Sequence, residues 1–139
     1  MLIVLLSCVL SACSDEGNWY LTRIDIQKIT DEEIEMYEEE FIVVDLVTLD
    51  SIKSLFDEVK WKPNSLKKMS TSEDLLLTLF FTYEKKKAEK LFLYQIWFGD
   101  DEVIIMSNNE EEGYGKLEGD NAIKLKNILL GQVLEEELQ

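Results

Sequence analysis

Glu73-Asp-Leu-Leu-Leu-Thr-Leu-Phe-Phe-Thr-Tyr83, Glu84-Lys-Lys-Lys-Ala-Glu-Lys90 and Leu91-Phe-Leu-Tyr-Gln-Ile-Trp-Phe98 follow one another without a break. In the first segment Leu75, Leu77, Leu79, Phe81 and Tyr83 fall on one face and Leu76, Thr78, Phe80 and Thr82 on the other. That is the two-residue period of a strand. The third segment is a second strand of similar composition. Both are largely apolar on both faces, so they belong in the centre of a sheet. The lysine-rich link at 84–90 is the solvated tip of their hairpin. A parallel crossover needs a dozen or more residues, so this short link requires antiparallel pairing.

Working toward the C-terminus, Gly99-Asp100-Asp101 is a tight turn and residues 102–107 form the next strand. A loop at 107–113 leads to a short edge strand at 114–117. Gly119-Asp120-Asn121 opens a helix with Asp120 as its cap. Ala122, Leu125, Leu129 and Val133 make one apolar stripe, widened by Ile128 and Leu130. Glu135, Glu136 and Glu137 oppose the helix macrodipole and are expected to fray the end.

Working toward the N-terminus, Pro63-Asn64-Ser65 is a break, with Lys60, Lys62, Lys67 and Lys68 gathered around it. Ile52, Leu55, Phe56 and Val59 give a helical stripe, capped by Thr48, Asp50 or Ser51. Residues 41–48 are rich in β-branched side chains and read as a strand. Seven acids lie between Asp31 and Glu40, a loop or one weak helical turn carrying Ile34 and Tyr37. Residues 19–29 alternate as a first strand. The order β-β-α-β-β-β-β-α predicts a single α+β domain over 19–139: a mainly antiparallel sheet of five or six strands with two helices on one face.

Before this domain the chain changes character. Residues 1–12 carry no charged side chain, and from Ser14 the sequence turns polar. The apolar run is too short to span a bilayer, which takes about 20 helical residues, and it reads as a secretory leader. Leu10-Ser11-Ala12-Cys13 resembles the bacterial lipobox. The resemblance implies a leader at 1–12, a diacylglyceryl group on the thiol of Cys13, and a lipidated tether at 13–18. No Lys or Arg precedes the apolar run. Either the true start codon lies upstream of Met1, which is favoured, or export from Met1 is inefficient. Removing residues 1–12 from 139 leaves 127, with no free thiol and no disulfide. A chain of that length buries about two-thirds of its unfolded surface, so it does not depend on disulfides.

Fourteen basic and 29 acidic residues give a net charge of −15, and there is no histidine. Nucleic-acid binding is disfavoured for want of a basic face. Imidazole chemistry is excluded: Ser-His-Asp triads, Cys-His pairs and His-ligated zinc. The acidic run at 31–40 lacks EF-hand spacing and an internal glycine, so it reads as solvated loop rather than a Ca²⁺ site. With 29 acids some carboxylate pair always falls at a glycosidase separation, so such a pair is uninformative. Ser65-Leu-Lys-Lys68 has the spacing of a penicillin-binding protein nucleophile but not its companion motifs. Gly113-Tyr-Gly115 lacks the third glycine and the βαβ context of a nucleotide site. No cofactor, metal site or catalytic residue is expected.

Trp97, Gly99-Asp100, the strand after it, Tyr114-x-Lys-Leu117 and Ala122-x-x-Leu125-x-x-x-Leu129 resemble small lipoproteins of Bacillus and its relatives, of the YhfM type. The resemblance covers residues 74–130 and implies a Gram-positive setting without assigning catalytic residues. The expectation is a lipid-anchored extracytoplasmic module, bound to the membrane through Cys13 and acting by non-catalytic binding. By charge, a basic protein is the favoured partner. An inhibitor or immunity-type protein against a basic toxin or hydrolase is the alternative, and a carboxylate-dependent hydrolase the third reading. Trp19, Tyr20, Trp61 and Tyr114 are the candidate binding surface. Trp97 is assigned to packing, and Trp19 and Tyr20 are also placed for contact with the membrane interface.

Overall fold

The computed structural model describes residues 19–31, 36–37, 40–83 and 88–137. The leader, Cys13, most of the acidic run and the centre of the lysine-rich tip lie outside these residues. Elements follow in the order β1 (Trp19–Asp31), β2 (Met36–Tyr37), β3 (Phe41–Val43), α1 (Leu46–Asp57), β4 (Lys60–Lys62), β5 (Leu75–Tyr83), β6 (Glu89–Phe98), β7 (Glu102–Ser107), β8 (Tyr114–Glu118) and α2 (Gly119–Glu137). The fold is α+β, as expected. Its antiparallel sheet runs β2-β1-β5-β6-β7-β8-β4, with β3 pairing β1 off that path, so among the described residues it has eight strands rather than five or six. β5 and β6 are central, in register from Leu75 opposite Ile96 to Thr82 opposite Glu89.

The alternation read from β5 sorts the two faces. On one face Ile24, Ile26, Leu77, Leu79, Ile96, Val103 and Ile105 are sealed from solvent. They pack beneath Leu49, Ile52, Leu55 and Phe56 of α1 and Ala122, Leu125, Leu129 and Val133 of α2, so both helices lie on this face. On the opposite face Trp97, Ile104 and Met106 form a smaller cluster with Met69 and Tyr114. The segment between β4 and β5 is strapped over it, because the Trp97 indole Nε1–H donates to the Thr71 carbonyl at 2.9 Å. The buried position of Trp97 follows from that strap rather than from the helices.

Local chemistry moved several boundaries. The strand expected over 41–48 ends at Val43, and α1 starts at Leu46. Asp45 caps the helix in place of Thr48, Asp50 or Ser51. Its carboxylate accepts from the Thr48 backbone N–H at 3.0 Å and the Thr48 hydroxyl at 2.8 Å, which turns a β-branched run into a helix start. These two bonds also hold the Asp45 carboxyl below its ordinary pKa. Asp120 sits inside the first turn of α2 instead of capping it, and α2 runs on through Glu137. Within the acidic run, Met36 and Tyr37 are strand, paired with Asp31 and Ile29, in place of the loop or helical turn expected there. Lys60–Lys62 is an edge strand on β8 where a helix end and loop were expected, so β8 lies between β7 and β4 and is not the edge strand expected at 114–117. The β4 alternation of exposed lysine and half-buried Trp61 is too short to register as a period.

Candidate functional site

Length mismatch opens the site. Twelve residues of α1 cover about 18 Å, whereas the 13 residues of β1 extend over about 43 Å. The helix therefore leaves the sheet beside it uncovered. Two open grooves flank α1 there. The larger, about 960 Å³, lies against the start of β1 and is lined by Trp19, Tyr20, Thr22, Leu46, Leu49 and Asp50. The smaller, about 320 Å³, is lined by Phe56, Trp61, Leu79, Phe81, Tyr94 and Glu112. Both include Lys53 and Asp57, whose ion pair at 3.2 Å forms the ridge between them.

The smaller groove is aromatic. Tyr94 is its hub, with ring centroids at 4.9 Å from Phe56, 5.9 Å from Trp61 and 6.3 Å from Phe92. Phe92 meets Phe81 edge-on at 5.6 Å. Such pairs add to the burial of the rings themselves. Trp61 reaches this position because Gly115 opposes it on β8. A Cβ at Gly115 would lie 2.6 Å from the Trp61 ring and collide with Val59 Cγ1. The missing side chain is what lets the indole lie across the strand.

One carboxylate is fixed at the edge of this aromatic wall. The Tyr94 hydroxyl donates to Glu112 Oε1 at 2.9 Å, and the Ser107 hydroxyl donates to the same oxygen at 2.7 Å. The loop presenting Glu112 is held internally, with the Glu112 and Gly113 N–H groups donating to the Asn109 carbonyl at 3.0 and 2.9 Å. Gly113 closes it at φ +74°, where its Cα faces the Lys62 carbonyl too closely for a Cβ. Burial, and then the nearby charge of Glu112, push the Tyr94 phenol far above its ordinary pKa of about 10. The phenol thus remains a neutral donor and a poor nucleophile near pH 7. Aromatic faces beside a fixed carboxylate suit a ligand with a cationic group and an apolar body.

The expected surface residues separate into two groups. Trp19 and Tyr20 line the larger groove and Trp61 the smaller. Trp19 packs against Tyr83 with the rings tilted at 46° and their centroids 5.0 Å apart, and the Lys90 ammonium lies 4.6 Å from the Trp19 ring centroid. Tyr114 sits on the opposite face, against the Trp97 cluster, with Lys62 and Lys67 at 5.8 and 5.6 Å from its ring. Cys13 lies outside the described residues. Tyr94, Phe81, Phe92, Lys53, Asp57 and Glu112 were not among the candidates. The first three carried a signal, since they share a face with Leu77 and Leu79 once β5 and β6 pair in register. Glu112 is one acid among 29 and carried none. Among the described residues no group of three or more Asp, Glu, Cys or His side chains is placed to hold a metal ion, and no helix is long and apolar enough to cross a membrane. Comparison with known proteins gives no match by family model, by curated sequence or by solved structure.

Proposed function

We propose that the chain is a lipid-anchored module on the outer face of a bacterial cell membrane, held through Cys13, that binds a cationic partner without catalysing a reaction. The observation that carries the binding role is the Tyr94-centred aromatic groove with Glu112 fixed at its edge. Asp57 borders the same groove, and a net charge of −15 draws cations toward it. The neutral, engaged phenol of Tyr94 favours recognition over chemistry. The anchor rests on Leu10-Ser11-Ala12-Cys13 and on the resemblance to small Bacillus lipoproteins.

Crosslinking at the surface of intact cells, with partner identification by mass spectrometry, tests the binding role. The wild-type chain should capture a basic protein that Trp61→Ala and Glu112→Gln both lose. Capture unchanged by either substitution removes the groove from the reading. The anchor is tested separately by intact mass of the membrane fraction: Cys13→Ala should leave the chain unprocessed and without acyl mass. A processed, membrane-bound Cys13→Ala protein refutes it.

A further inference from the structure

We propose that the corner of the domain formed by Tyr20, Val44, Leu46 and Val47 is a membrane-docking surface that rests on the phospholipid headgroups beside the anchor. The proposal rests on the lipid-anchor reading of Cys13.

The corner is apolar and open. Tyr20 is 50%, Val44 61%, Leu46 76% and Val47 74% exposed. They belong together because β3 runs antiparallel to β1, with Val43 opposite Ile24. The chain leaving β3 therefore heads back along β1 toward Trp19, and Leu46 shares a groove with Trp19 and Tyr20. Clustered exposed apolar side chains mark a contact surface.

The tether identifies the occupant. Six residue steps separate Cys13 from Trp19, a reach of about 20 Å at full extension. The headgroup layer itself is about 5–8 Å deep. Among the described residues, this corner and the Tyr83–Lys90 end of the β5–β6 hairpin, which both adjoin the start of β1, are thus the parts that a lipid on Cys13 holds closest to the bilayer, and the corner is the one with clustered exposed apolar side chains. Trp and Tyr are also the side chains that favour the membrane interface. Charge near the corner is mixed and leans acidic, with Arg23, Lys53 and Lys90 against Asp25, Glu40, Asp45, Asp50, Asp57 and Glu89, so contact rests on apolar burial rather than on anionic lipid. Trp61 and Glu112 lie toward β4 and β8. β8 stands four strands from β1, about 19 Å across the sheet, so the Trp61–Glu112 end of the aromatic groove points away from the corner, while its near end meets the ridge of Lys53 and Asp57 that the two grooves share.

The test uses the full-length lipidated chain in phosphatidylcholine vesicles that carry a lipid-borne quencher. An environment-sensitive dye is attached at Val47→Cys or, as the control, at Leu66→Cys. Leu66 is 82% exposed, next to Lys67, which reaches the Tyr114 ring of β8. Quenching several-fold stronger at position 47 than at 66, unchanged by high salt and at least halved by adding Leu46→Ser, supports docking. Equal quenching at both positions on protein that floats with the vesicles overturns docking and leaves the anchor standing. Protein that does not float overturns the anchor and this proposal with it.

Discussion

The two faces of the sheet are made by the same strands with the same alternation, yet they finish differently. Leu77, Leu79 and Ile96 disappear beneath α1 and α2. Leu91 and Leu93, on the other face of β6, remain 46% and 38% exposed. Among the described residues the buried apolar side chains on that side are Trp97, Ile104 and Met106, where the segment before β5 is strapped across them, and Asp25 is buried there beneath its ion pair with Arg23. Alternation decides which side chains share a face. Whether the face is closed depends on an element arriving from elsewhere in the chain. The binding groove obeys the same rule, since it is the part of the helix-bearing face that α1 is too short to cover.

The largest test of this contrast is Leu77→Ala. Removing a fully buried side chain under the helices should cost about 2–5 kcal/mol in urea unfolding. A cost below about 1 kcal/mol would mean that the helices close loosely over the sheet. Next is Gly115→Ala, which places a methyl group against Val59 and Trp61. It should cost about 1–3 kcal/mol through overpacking and shift Trp61 emission, tying the stability of the edge to the shape of the groove. Tyr94→Phe removes the bond to Glu112 and should cost about 1 kcal/mol near neutral pH. Its pH dependence has a definite sign. The folded phenol holds its proton more tightly than the unfolded one, so above about pH 10 the unfolded chain releases that proton first and stability falls as pH rises. Urea titrations across the alkaline range should show a shallower decline for Tyr94→Phe than for the wild type. The smallest effect belongs to the open face: Leu93→Thr should stay within about 0.5 kcal/mol of wild type. A larger loss there would show that this face is covered in solution.

What was legible in the sequence follows from how far each signal extends along the chain. The β5–β6 hairpin, β7, β8 and the apolar stripes of both helices could be read because each repeats a period over enough residues. The start of α1 was misplaced because Phe41 to Val44 favours a strand, whereas a single side chain, Asp45, redirects the backbone. β4 and β2 were missed at three and two residues, lengths at which a period has no meaning. Of the site, Trp61 and the two aromatics at the start of β1 were visible as residue types. Tyr94 and Glu112 were not, because they are 18 residues apart and become a pair only after β6, β7 and β8 have stacked. Tyr114 was grouped with Trp61 by its chemistry. Pairing of β4 with β8 sets Trp61 opposite Gly115 and Tyr114 opposite Lys62, on the other face.

The position of β1 has a temporal consequence. Among the described strands it is the first to emerge from any machine that delivers the chain N-terminus first, yet its long partner is β5, with Trp19 opposite Tyr83 and Lys28 opposite Leu75. β5 to β8, by contrast, close as successive neighbours once each arrives. Until β5 has passed, the N-terminal half lacks its principal partner and the sheet has no centre. Loop closure over such a separation is slow compared with hairpin formation. For the exported protein proposed above, this order of assembly keeps the leading half threadable through a channel and defers folding to the far side of the membrane.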